Sequence, residues 1–263
     1  MKRRDVKRVG GGPAGLTGVS YPGHETGAQR CAMTPLRYLF QDEFLVAIDK
    51  PAGMIVHPGR EPEGPEWIAM KRLRDELGRP VYPIHRLDRP TSGVLLFALD
   101  RATSTRVQQA FEQRRVAKRY LAVVCGATEE EWCCEMPLRK SPEEPELAAR
   151  TEFRRVELAC GFPGMADLTL SLLRAEPFTG RFHQIRRHLQ QAGFPIVGDY
   201  RYAGRERSDE LGAALGTGTR MLLQAKSLRL EHPWNGGAME IVAPPDADFV
   251  RCFPSARLSL ADA

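Results

Sequence analysis

The sequence predicts an α+β fold built on a mainly antiparallel sheet. Strand-like and helix-like segments mix along the chain without the regular alternation that marks a doubly wound parallel sheet. The 263 residues are 42% hydrophobic, enough for one sizeable core. No internal repeat and no second hydrophobic unit is visible, so residues 35–263 read as a single domain.

The elements follow in order. Arg37–Phe40 and Phe44–Ile48 read as two strands around a Gln41-Asp42-Glu43 turn. Lys50-Pro51-Ala52-Gly53 breaks the chain. Residues 66–77 show helical spacing, with Trp67, Met70, Leu73 and Leu77 on one face and Gly78 as the stop. Ser92–Leu99 is a buried strand by composition. Asp100 caps a helix from Arg101 to about Arg114, with Val107, Ala110 and Phe111 inward. Arg119–Val124, Thr151–Leu158 and Leu168–Arg174 read as strands, and the Pro- and Glu-rich residues 141–147 as a loop. A helix from Phe182 to Gln191 ends at Gly193. Residues 204–219 read as a loop with a short helix. Met221–Leu230 and Ala238–Val242 complete the strands.

Residues 1–34 hold seven glycines and six Lys or Arg and read as a disordered basic extension, with Met33 as the functional start. The net charge of +5 is compatible with a polyanionic partner. Its distribution says more, because Arg181, Arg186 and Arg187 cluster beside His183 and His188. The six cysteines form no C-x-x-C, and Cys133 and Cys134 are adjacent, which reads as reduced thiols in a cytoplasmic protein. No apolar run is long enough to span a membrane, and no apolar stretch follows the basic N-terminus as in a signal peptide.

Four segments carry chemistry. His85-Arg86-Leu87-Asp88-Arg89-Pro90-Thr91-Ser92-Gly93 places one carboxylate, Asp88, between two arginines at the mouth of a strand. Nearby cations favour the ionised form of an acid, which suits a nucleophile or a base. Alone, the segment reads better as an Asx turn, and the other motifs reverse that. Lys50-Pro51-Ala52-Gly53 reads as a turn between strands. In Lys118-Arg119-Tyr120, Tyr120 offers a flat face for a base and a hydroxyl that donates or accepts. Thr179-Gly180-Arg181-Phe182-His183-Gln184-Ile185-Arg186-Arg187-His188 is the most basic folded segment and opens a helix, where phosphate is attracted. Arg186 is placed to pair with a carboxylate such as Asp88. His183 and His188 lie about 140° apart around a helix and do not share a metal.

Together and in this order, these segments resemble the motifs of the pseudouridine synthases, in the RluA branch that modifies uridines of large-subunit ribosomal RNA and tRNA. The resemblance runs from about residue 36 to about 245. It implies the pseudouridine synthase fold, with a mixed sheet flanked by helices around a central cleft. It implies Asp88 as catalytic aspartate, Tyr120 stacked under the target base, and Arg186 as the salt-bridge partner of the aspartate. Ile185 packs in the pocket, Arg86 approaches the space of the flipped nucleotide, His85 supports the turn, and Lys50-Pro51 belongs to the first motif. Lys118, Arg181, His183 and Gln184 join these as substrate-side residues. The implied reaction needs no cofactor and no metal. Residues 1–35 are too short and glycine-rich for the S4-type RNA-binding domain of some relatives. That layout and Arg186-Arg187-His188 look most like the type acting on tRNA at uridine 65, at the base of the T stem. The expected partner is therefore tRNA, or alternatively ribosomal RNA, bound by a monomer without a membrane. Two other classes stay open: an RNA-binding protein or chaperone without activity, and a hydrolase using Asp88 beside His85. Asp199 is the one further tempting carboxylate, and it reads as a turn residue.

Overall fold

Buried on both faces, the central strands read as continuous apolar runs, and the sheet they form organises the molecule. The computed structural model describes residues 35–58 and 64–254; the expected tail at 1–34 lies outside them. Ten strands form one sheet: β1 (Arg37–Gln41), β2 (Leu45–Lys50), β3 (Tyr82–Pro83), β4 (Ser92–Ala98), β5 (Ala117–Cys125), β6 (Glu131–Cys134), β7 (Thr151–Phe162), β8 (Met165–Pro177), β9 (Leu223–Glu231) and β10 (Ala238–Val242). Their order is β1-β2-β4-β9-β5-β8-β7-β6, with β3 beside β4 and β10 beside β9. Every pairing is antiparallel except β4 with β9. The expected α+β class with a mainly antiparallel sheet is the one observed.

Among the described residues five helices cover the sheet: α1 (Ala69–Leu77), α2 (Arg101–Glu112), α3 (Gln184–Gln191), α4 (Arg205–Ala214) and α5 (Ala247–Cys252). Alternate residues of β2 and β4 pack to opposite sides. Val46, Ile48, Leu95 and Phe97 join Leu73 of α1, while Leu45, Ala47, Leu96 and Ala98 join Val107 and Ala110 of α2. The second half repeats this layering. Leu121, Val123 and Leu170 meet Leu211 of α4 and Phe249 of α5; Val124 and Leu173 meet Ile185 and Leu189 of α3.

Several boundaries differ from expectation, each for a local reason. Pro65 opens a separate 3-10 turn through Trp67, so α1 begins at Ala69. The helix expected from Phe182 begins at Gln184, because His183 sits in the left-handed region at φ 52°. β7 and β8 extend to Phe162 and from Met165 as a long hairpin. Ten residues, 205–214, form α4 where a loop with a short helix is expected. It docks through Ser208, Leu211 and Gly212, too few for an apolar stripe, and its outer surface carries the exposed Arg205–Asp209 and Arg207–Glu210 pairs. The two-residue β3, the edge strand β6 and α5 are additions.

Candidate active site

The Asp88 turn lies between β3 and β4 and is clasped from three sides. Lys50 is fully buried, and its ammonium donates to the carbonyls of Pro51 (2.9 Å), Met54 (2.7 Å) and Arg89 (3.3 Å). Gly53 N–H also donates to Arg89 O at 2.8 Å. The Lys-Pro-Ala-Gly segment is thus a clamp on the turn. On the far side, Arg220 donates to Pro90 O (3.0 Å), Ser92 Oγ (2.6 Å) and Asp246 Oδ2 (2.6 Å). From within, His85 Nε2 accepts from Leu96 N–H at 3.2 Å while its ring stacks on Phe111. Burial, then the Lys118 charge, pushes the His85 pKa down to about 4, so the imidazole is neutral and its Nε2 is free to accept.

Gly93 decides where this turn sits. It pairs with Ala225 in the parallel β4–β9 contact, and Tyr120 of β5 pairs with the same Ala225 from the other side. A Cβ on Gly93 would stand 2.1 Å from Ala225 O, and its φ is +103°. Only glycine allows that approach. One residue of β9 therefore sets the separation between the Asp88 turn and Tyr120.

Asp88 is anchored by one oxygen. Arg186 Nη1 donates to Asp88 Oδ2 at 2.9 Å, and His183 Nε2 lies 3.6 Å from the same atom. Oδ1 accepts no hydrogen bond among the described residues. The other edge of the Arg186 guanidinium is a two-pronged pair with Asp199: Nε to Oδ2 at 2.7 Å and Nη2 to Oδ1 at 2.8 Å. Burial opposes the Arg186 charge, but these bonds outweigh it and hold the pKa above the usual arginine value. His183 is fixed by Tyr202 OH at Nδ1 (3.0 Å) and by the Phe182 ring, 3.8 Å away between centroids. Its pKa is pushed down to about 4, chiefly by burial, with Arg186 and Arg201 adding and Asp88 opposing.

All ten residues singled out from the sequence, Asp88, Tyr120, Arg186, His85, Arg86, Ile185, Arg181, His183, Gln184 and Lys118, border one open cavity of about 620 Å³. Their situations differ. Tyr120 has its pKa raised by burial and then by the Asp88 charge, so it stays a neutral phenol. Burial and Arg114 push Lys118 down to about 8, and it donates to Thr179 O at 3.0 Å. Arg86 is exposed, and Arg181 donates to Ala148 O. Ile185 is buried with Leu189 and Leu223. Gln184 uses its whole amide inside the protein: Oε1 accepts from Thr179 Oγ1 and Arg181 N–H, and Nε2 donates to Arg150 O and Thr151 Oγ1. It shapes the Thr-Gly-Arg loop.

Sequence reasoning missed the work of Asp199, Tyr202 and Arg220. Asp199 does cap a turn, accepting from the N–H groups of Arg201 and Tyr202, and it also takes the Arg186 fork. A buried arginine needs more acceptors than Asp88 alone supplies, and that demand was the available signal.

Comparison with known proteins identifies the family. The sequence model for RNA pseudouridylate synthase matches residues 44–191. The tRNA pseudouridine synthase C of Haemophilus ducreyi is 37% identical over 210 residues, 75% of this chain and 86% of that protein. The Salmonella typhimurium protein of the same name is 35% identical over 82% of this chain and 88% of its own. Among solved structures, Human RNA Pseudouridylate Synthase Domain Containing 4 aligns with a TM-score of 0.64 at 24% identity, over 84% of this chain and 93% of that one, which speaks for the fold. Human RNA Pseudouridylate Synthase Domain Containing 1 aligns at 0.62 and 24%, over 80% and 83%. With its fold, its motifs and more than half its length matched, the chain belongs to the RNA pseudouridylate synthase family.

Proposed function

We propose that this enzyme converts a uridine of tRNA, at position 65 in the T stem, to pseudouridine with Asp88 as the catalytic carboxylate. In the net reaction the N1–C1′ bond breaks and a C5–C1′ bond forms. The C5 hydrogen leaves as a proton and N1 takes one up, so atoms and electrons balance without a co-reactant. The observation that carries the reading is the Asp88 carboxylate held through Oδ2 by buried Arg186, its Oδ1 unengaged among the described residues, beside a neutral tyrosine.

The target base must leave its stack to reach Asp88. Tyr120 then lies under the uracil, where its phenol assists the proton at C5. Arg86, Arg114, Lys118 and Arg181 supply positive charge around the cavity for the phosphates. The names of the curated relatives support tRNA as the substrate. The enzyme acts as a monomer; its place is the cytoplasm, a reading supported by five free cysteines among the described residues. No described helix is long and apolar enough to cross a membrane.

The test is carbodiimide-based pseudouridine mapping of RNA from cells with and without the gene, joined to purified protein on unmodified transcripts. Loss of one T-stem signal, restored in vitro, is the expected result. Loss at a ribosomal site would replace the substrate and keep the chemistry. No product on any RNA would overturn the reading in favour of a binding protein.

A further inference from the structure

Phe178 stands out at the rim of the cavity. It follows Pro177, the last residue of β8, and 45% of it is exposed. It borders the same cavity as Asp88 and Tyr120, whose lining carries Arg86, Arg114, Lys118 and Arg181 with Glu112 as one further acid. An apolar ring contributes nothing to gripping phosphate, so its place within a cationic rim calls for another ligand chemistry.

The ring is held in place. Its backbone N–H donates to Arg150 O at 3.0 Å. The Arg150 guanidinium lies 5.2 Å from the ring centroid, and is itself fixed by Glu135 (2.5 Å) and Glu152 (2.7 Å). A cation beside an aromatic ring is attracted by the ring quadrupole and restrains it. Phe182, 39% exposed and four residues on, is different, since its ring stacks against His183.

We infer that Phe178 is a stacking platform for a nucleobase left unstacked when the target uridine flips out. The inference rests on the pseudouridine synthase reading above and adds a second base subsite to it. Flipping one nucleotide removes a stacking partner from its neighbours and leaves its former pairing partner single. Unstacked bases in RNA are held on exposed aromatic rings, and every base has a face that fits. Tyr120 lies deeper in the pocket, so Phe178 at the rim is suited to a base that stays beside the helix.

The probe is a stem-loop of the target RNA carrying 2-aminopurine at one position at a time: on either side of the target uridine, or opposite it. Binding to the full-length wild type should change the fluorescence at one of these positions as the probe moves onto the ring. Phe178→Ala should abolish that change and raise KM about 5- to 150-fold, with kcat within about twofold. Phe178→Trp should restore KM. Leu158→Ala, a residue just as exposed (42%) but not on the cavity, is the control for general surface effects. A wild type that forms pseudouridine while Phe178→Ala keeps both the fluorescence change and KM overturns the platform alone. A wild type that forms none overturns the enzymatic reading and the platform with it.

Discussion

Asp88 and Asp199 share one guanidinium but engage it differently, and their substitutions should separate accordingly. Asp88→Asn keeps shape and removes the charge, so turnover should vanish while RNA affinity stays within a few fold, because cations supply most binding. A gel-shift titration beside a product assay reads both. Asp199→Asn keeps an oxygen for the Arg201 and Tyr202 N–H groups but loses an acceptor of the Arg186 fork. Arg186 is then free to swing both prongs onto Asp88 and occupy Oδ1. A charged hydrogen bond of this kind is worth about 2 kcal/mol, so kcat should fall roughly thirtyfold with KM unchanged. Steady-state kinetics in which KM rises instead would count against that role. His85 makes a separate prediction about stability. Its pKa in the folded protein, about 4, lies below the ordinary 6.5. The stabilisation is therefore complete above about pH 6.5 and is lost as pH falls toward 4, by at most about 3 kcal/mol. His183 titrates in the same window. His85→Gln, which retains an acceptor for Leu96 N–H, should flatten the acid slope without removing it, as read by urea melts at pH 7.5 and 5.

At the scale of elements, β4 was legible because burial on both faces leaves an uninterrupted apolar run, Val94–Leu99. The Asp88, Tyr120 and Arg186 motifs were legible because they occur together and in order, each being weaker alone. Asp199 was not, since its turn function already explains its type and the fork partner is 13 residues away. β6 is a four-residue edge strand whose inward residues, Trp132 and Cys134, are too few to show an alternation in the sequence. α5 is only six residues long and rests on its Asp246 cap, which accepts from Asp248 and Phe249 N–H. Gly93 reads in the sequence as part of a turn, yet its requirement comes from β9, over a hundred residues on. Gly93→Ala should therefore cost about 3 kcal/mol or more through the clash with Ala225 and the positive φ. A thermal melt checks this, and a wild-type melting temperature would contradict it.

At the scale of the whole molecule, two layered halves meet at one strand. β1, β2 and β4 with α1 and α2 carry the Asp88 turn, while β5, β8, β7 and β6 with α3, α4 and α5 carry Tyr120 and Arg186. β9 lies between β4 and β5, and among the described strands it alone joins the two groups. Synthesis on the ribosome reaches β9 only after the other strands of both halves, β1 to β8, have emerged, while α5 follows it. Until then each half ends in an unpaired edge, and the acid and the tyrosine have no fixed relation. The register between the Asp88 turn and Tyr120 is therefore set only when residues 223–231 occupy the gap. A nascent chain of this enzyme thus carries Asp88, Tyr120 and Arg186 before it has the strand that sets their spacing.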